Sequence, residues 1–169
     1  ELSYYNEQLH IQSVRDDLTH LYNRRGFMKL AGEFFEKARR TNTGFLLLYA
    51  DLDNLKAIND RFGHSEGDYA ILSTAKILSK SFRDYDIIGR LGGDEFTIII
   101  PGASRDDEAD IRNRIRRNCD LHNELSKKPY RLSISLGFAC YHPGSPDSFA
   151  DLMKAADKAL YEDKQRKNR

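Results

Sequence analysis

IIGRLGGDEFTIII, residues 87–100, reads as a β-hairpin: two apolar runs, Ile87 to Leu91 and Phe96 to Ile100, meet at Gly92-Gly93 and stop at Pro101-Gly102. Upstream of it, Phe45 to Ala50 is apolar on both faces, as a central strand is, and ends in Asp51. Between these strands lies a short helix with Leu55, Ile58 and Phe62 on one side, Asp53 as its cap and Gly63 closing it. A longer helix starts at Ser65 and turns Ile71, Ala75, Leu78 and Phe82 inward. Beyond the hairpin, Ala109 to Leu125 is an arginine-rich helix and Arg131 to Ala139 alternates like a strand. Ser148 caps a last amphipathic helix running from Phe149 to Lys164. Nearer the start, Asn23 caps a helix whose stripe is Phe27, Leu30, Ala31, Phe34 and Ala38. This order predicts an α+β fold, a palm-like or ferredoxin-like sheet containing antiparallel strands and covered by helices. Strand order itself is not legible.

The 169 residues, 40% hydrophobic, suit one domain with a real core. Lysine and arginine number 27 against 26 acidic residues, a formal net charge of +1, so no general attraction to nucleic acid or anionic membrane is expected and any phosphate binding is local. Cys119 and Cys140 form no metal-binding spacing. Residues 1–15 carry Leu2, Tyr5, Leu9 and Val14 at loosely helical spacing, the end of a signalling helix from an upstream domain, and residues 16–169 form the main domain.

Two acidic clusters stand where strands end: Asp51 with Asp53, and Asp94 with Glu95. If the hairpin lies beside the Phe45–Ala50 strand, Asp51 and Asp94 meet within reach of one or two cations. Magnesium suits them, since it takes carboxylate, water and substrate phosphate together. The same residues also fit a polar hairpin tip beside a helix-capping aspartate.

Gly92-Gly93-Asp94-Glu95-Phe96 is the signature of the GGDEF family, and further motifs resemble that family in register. They are Asp16-Asp-Leu-Thr19, Asn23-Arg-Arg25, Asp51-Leu-Asp53 through Asn59-Asp60, Phe62-Gly-His64, Gly67-Asp68, Arg90-Leu-Gly-Gly, Ser133-Ile-Ser-Leu-Gly137 and Ala156-Asp-Lys-Ala-Leu-Tyr161. The similarity covers residues 14 to 165. It implies a diguanylate cyclase with a nucleotidyl cyclase-like fold, condensing two GTP into cyclic di-GMP and two pyrophosphates between two facing domains of a homodimer. By the same likeness Asp51, the Leu52 carbonyl and Asp94 hold Mg2+, or Mn2+ in its place. Asp94 or Glu95 takes the hydroxyl proton, a choice the sequence leaves open, with Asp94 favoured as the essential acid and Glu95 in close support. Asn59 and Asp68 match the guanine-reading positions; on local spacing alone Asp68 also completes a capping box with Ser65, and Asn59 is a helix-surface residue. Phosphate contacts fall to Lys56, Lys164 and the backbone amides around Asn54 and Leu55, while His64 packs beneath the nucleotide or touches it, or equally has a plain structural role. The likeness also implies a cytoplasmic domain under an upstream regulatory domain, with membrane attachment of the parent protein left open.

Arg83 and Asp86 form an RxxD pair five residues before Gly92. That distance matches the family's inhibitory product site, where Arg83 clamps phosphate and the guanine Hoogsteen edge, Asp86 accepts from guanine, and Arg114 serves from a second domain. Two departures stand out. His20 replaces a usual glycine, and the usual KxxGRN becomes Lys164-Gln-Arg-Lys-Asn-Arg169, which puts Asn168 where a phosphate-binding arginine belongs and leaves Arg166 or Arg169 to substitute. The competing readings are a catalytically silent GGDEF module sensing GTP or cyclic di-GMP, a cyclase making a mixed GMP–AMP product, against which Asp68 argues, and a template-using polymerase palm, which lacks a basic tract.

Overall fold

The computed structural model of the chain describes residues 2–169, the side chains of residues 10–12 excepted. In chain order the elements are α1 (Leu2–Val14), α2 (Arg24–Thr41), β1 (Phe45–Leu52), α3 (Leu55–Phe62), α4 (His64–Ser81), β2 (Ile87–Gly92), β3 (Glu95–Pro101), a 3-10 turn (Arg105–Asp107), α5 (Glu108–Ser126), β4 (Ile134–Tyr141) and α6 (Phe149–Lys167). The four strands form one sheet in the order β2-β3-β1-β4. Every neighbouring pair is antiparallel. From β1 onward this is the βαββαβ arrangement that the predicted order allowed, with α2 and α6 added.

Strand β1 is buried along its whole length, because helices cover both faces of the sheet. Leu46, Leu48, Ala50 and Leu52 pack with α3, α4 and α5, while Phe45, Leu47 and Tyr49 pack with α2 and α6. The alternation puts Asp51 on the α6 face. On α2 the buried stripe is Phe27, Ala31, Phe35 and Ala38, one residue round from the expected Phe34. Both rings meet Phe45, Phe34 at 5.2 Å and Phe35 at 6.1 Å, but Phe35 also packs on Tyr141 and Phe149, with ring centroids 5.2 and 5.9 Å away.

Both sheet edges are closed against pairing with another chain. Beside β2, the Arg90 amide donates to the Tyr22 carbonyl at 2.8 Å. Beside β4, side chains do the work: Lys167 Nζ donates to the Ile134 carbonyl at 2.7 Å and Asp163 Oδ2 accepts from the Leu136 amide at 2.8 Å. Those two contacts strap α6 along β4 and so fix where Lys164 points. The strand begins at Ile134, not Arg131, because Leu132 bonds the Asn123 side chain through both its amide (2.7 Å) and its carbonyl (2.8 Å).

Two expected helix caps are corrected. Asn54, in a left-handed conformation, precedes α3, while Asp53 accepts from Ser133 and Ser135 instead. Gly63, at φ 95°, both ends α3 and starts α4, so Ser65 lies inside the helix and Asp68 closes no capping box. His20 adopts φ 60° and its amide donates to the Asp16 carbonyl at 2.8 Å, which explains the family's usual glycine. Replacing His20 with glycine is expected to raise stability by about 1 kcal/mol by removing a left-handed side-chain-bearing residue, read by urea unfolding. Among the described residues no helix is long and apolar enough to cross a membrane.

Candidate active site

Asp51 is the register partner of Glu95 across the β1–β3 pair, and the Leu52 amide donates to the Asp94 carbonyl at 3.0 Å. The two acidic clusters, distant in sequence, therefore meet at one rim of the sheet. Asp51 is only 4% exposed. Burial pushes its pKa up to about 7, and the adjoining Asp94 carboxylate adds to the rise, while the Lys164 ammonium bound to Oδ2 opposes it. The other oxygen, Oδ1, is buried without a hydrogen-bond partner. For Lys164, burial disfavours the charge, but Asp51, with Asp94 and Asp53 beyond it, outweighs that and raises the pKa.

A buried and a half-buried carboxylate, with one orphaned oxygen and a lysine as counter-charge, make an arrangement short of positive charge. Among the described residues no group of three or more His, Cys, Asp or Glu side chains gathers to hold a metal. The two carboxylates Asp51 and Asp94 are donors that magnesium would accept, since it binds through one or two carboxylates and completes its shell with water and substrate phosphate. The donor set fits.

Beside this pair opens a cleft of about 490 Å³ lined by Asp53, Asn54, Ser133, Ser135, Lys164, Lys167 and Asn168. Asn54 gives α3 no side-chain cap, so the amides that follow it, at Leu55 and Lys56, begin the helix uncapped by a side chain. Lys167 reaches Asp53 Oδ2 at 3.0 Å, Ser133 Oγ at 3.1 Å and the Ile134 carbonyl, so it is the second lysine of the cleft. Asn168, where the phosphate-binding arginine is expected, lines the same cleft. Of the two arginines expected to substitute for it, Arg166 lies 3.5 Å from Asp163 and Arg169 is exposed.

Asn59, on α3, lies against α4 at Gly67: a Cβ there would stand 1.7 Å from Asn59 Oδ1. Asp68 follows directly and is exposed, as is His64 at the start of α4. Neither Asn59, His64 nor Asp68 lines the cleft of Lys164 and Lys167, so the two residues expected to read guanine lie apart from it, on α3 and α4.

Arg83, Asp86 and Arg114 line one cavity of about 270 Å³ on the far side of the hairpin strands, near Pro101. Arg114, expected to act from a second domain, thus borders the cavity of its own. Asp86 Oδ2 accepts from the Arg83 amide at 2.8 Å, while Asp86 Oδ1 and Arg114 Nε are buried without hydrogen-bond partners. Burial raises the Asp86 pKa against the pull of Arg83 and Arg114.

A long-range clamp was missed from sequence. Arg90 donates Nη1 to both Asp16 oxygens at 3.1 Å, and Nε and Nη2 to the Gly93 carbonyl at 3.0 and 2.8 Å. It ties the turn before α2 to the hairpin that carries Asp94. Burial raises the Asp16 carboxyl, but hydrogen bonds from Thr19 and the Arg90 charge outweigh it and hold the pKa below its ordinary 3.8. A depressed carboxylate contributes stability above the unfolded pKa and loses it as pH falls through the folded one. Asp16→Asn is therefore expected to cost about 1–3 kcal/mol near neutral pH in urea unfolding, with the difference from the unaltered chain shrinking below pH 3.8. A constant difference across that range contradicts the assignment.

Residues 13–169 match the family model described as diguanylate cyclase, GGDEF domain. The chain is 34% identical over 164 residues to the probable diguanylate cyclase DgcC of Escherichia coli, covering 97% of this chain and 44% of that protein. It is 35% identical over 165 residues to the diguanylate cyclase DgcP of the same organism, covering 97% and 48%. It thus spans less than half the length of either relative. Among solved structures, the coiled coil and GGDEF domain of DgcB from Caulobacter crescentus, in complex with c-di-GMP, superposes with a TM-score of 0.88 at 28% identity, covering 97% of this chain and 87% of that one. With its signature hairpin intact and its fold superposing throughout, the chain belongs to the family of diguanylate cyclase GGDEF domains.

Proposed function

We propose that this domain condenses two GTP into cyclic di-GMP and two pyrophosphates, each of two facing copies holding one GTP. The observation that carries this reading is the meeting of Asp51 and Asp94 at one rim, with Asp51 Oδ1 buried and unpartnered. Asp51, Asp94 and the Leu52 carbonyl would hold magnesium, or manganese, which supplies charge neutralisation of the triphosphate and acidifies the attacking 3′-hydroxyl. Lys164, paired with Asp51, would be one ammonium facing the phosphates, and Lys167, Lys56 and the first amides of α3 would add positive ends. Asp94, supported by Glu95, stands where the hydroxyl proton leaves. Asn59 and Asp68 hold the guanine edge, Asp68 accepting from N1–H and the 2-amino group that adenine lacks. His64 lies beside this base pocket.

A product-inhibited cyclase is supported by the second cavity, where the unpartnered Asp86 Oδ1 and Arg114 Nε would take the donor and acceptor groups that the edges of guanine provide. Residues 1–15 act as the terminal part of a signalling helix and residues 16–169 as the catalytic domain, in a protein whose regulatory domain lies upstream. The exposed Leu2, Tyr5 and Leu9 of α1 support that division. Incubation with GTP and Mg2+ at high protein concentration, with nucleotides analysed by mass spectrometry, tests the activity. Cyclic di-GMP and pyrophosphate are expected; GTP or cyclic di-GMP binding without turnover favours a silent sensor, and a mixed dinucleotide overturns the guanine assignment.

A further inference from the structure

We infer that Tyr85 is a recognition element of the product cavity, its ring the stacking face for a guanine base and its hydroxyl the group that sets the Arg83 guanidinium. This rests on reading the Arg83–Asp86 cavity as a cyclic di-GMP site. Tyr85 lies between those two residues in sequence and lines the same cavity of about 270 Å³. It is 58% exposed, a large aromatic ring left on a polar turn with no core to fill.

Arg83 Nη1 donates to Tyr85 Oη, and the guanidinium carbon stands 5.8 Å from the ring centroid. One of the five guanidinium donors is thereby used to hold the fork in place, and the others remain for phosphate or purine nitrogen and oxygen. An exposed arginine otherwise samples many rotamers and loses that freedom on binding, so a neighbour that orders it beforehand favours the ligand. A purine seated on Arg83 and Asp86 needs a flat apolar surface for its π-face. Within this cavity, Tyr85 is the aromatic side chain that supplies one.

The test is calorimetric titration of cyclic di-GMP into the chain and its Tyr85→Phe, Tyr85→Ala and Arg83→Ala variants, each checked for folding by circular dichroism. Tyr85→Ala is expected to weaken binding about tenfold or more, the loss of one base–aromatic stack. Tyr85→Phe keeps the ring and loses the contact to Arg83, so a drop of about threefold is expected. Arg83→Ala should weaken binding by about tenfold to a hundredfold. Unchanged affinity in Tyr85→Ala, beside a loss in Arg83→Ala, overturns the role of Tyr85 alone. Unchanged affinity in Arg83→Ala, or no binding by the unaltered chain, overturns the product site itself.

Discussion

Asp94→Ala is expected to lower cyclic di-GMP formation about a thousandfold or more while leaving the cation-free domain as stable as before, or slightly more so. The two effects have one cause. Asp51 is buried, its Oδ1 has no partner, and the adjoining Asp94 carboxylate is among the groups that push its pKa up to about 7. Two carboxylates pressed together without enough positive charge destabilise the fold, and a divalent ion relieves them. Removing Asp94 relieves them too, but on the proposed function it also removes a ligand of the ion and an acceptor for the hydroxyl proton. Thermal unfolding with and without Mg2+ separates these consequences. The unaltered chain should gain melting temperature with the ion, whereas Asp94→Ala should start equal or higher and gain little. A variant that keeps its turnover, or that melts markedly earlier than the unaltered chain without the ion, would show that Asp94 serves the hairpin and not the chemistry.

Why the acidic pair was legible and its surroundings were not follows from sequence distance. The apolar run ending in Asp51 and the glycine turn beside Asp94 are local patterns, each complete within a few residues, and a sheet that sets those segments side by side brings the two acids together. The clamp from Arg90 to Asp16 joins residues 74 positions apart, and the bond from Lys167 to Asp53 spans 114. No periodicity reports such pairs. Asp53 shows the hazard: beside a helix start, an aspartate is most economically a cap, and here the serines of the neighbouring strand claim it. The C-terminal motif shows the same limit: counting along it offers Arg166 or Arg169 for the missing arginine, but not that Arg166 lies near Asp163 or that Lys167 lines the cleft.

A methyl group at residue 67 should cost the enzyme its grip on the base without costing it the fold. Gly67 sits inside α4 with ordinary helical geometry, where alanine is intrinsically favoured by about 0.5–1 kcal/mol. The added Cβ, however, would stand 1.7 Å from Asn59 Oδ1 and 2.8 Å from its Cγ. Asn59 is half-buried at the end of a flexible side chain, so its carboxamide swings away and the helices need not part. What would be lost is the placement, next to Asp68, of the amide proposed to bind guanine. Gly67→Ala is accordingly expected to raise KM for GTP by about tenfold to a hundredfold, the range for an unmade hydrogen bond in a polar base pocket, with kcat altered far less. Its preference for GTP over ATP in competition should narrow in step, because part of the readout has moved out of reach. Urea unfolding should show stability within about 1 kcal/mol of the unaltered chain. If the folded variant bound GTP as tightly as before, Asn59 would not belong to the base pocket, and the recognition of guanine would rest on Asp68 and other groups.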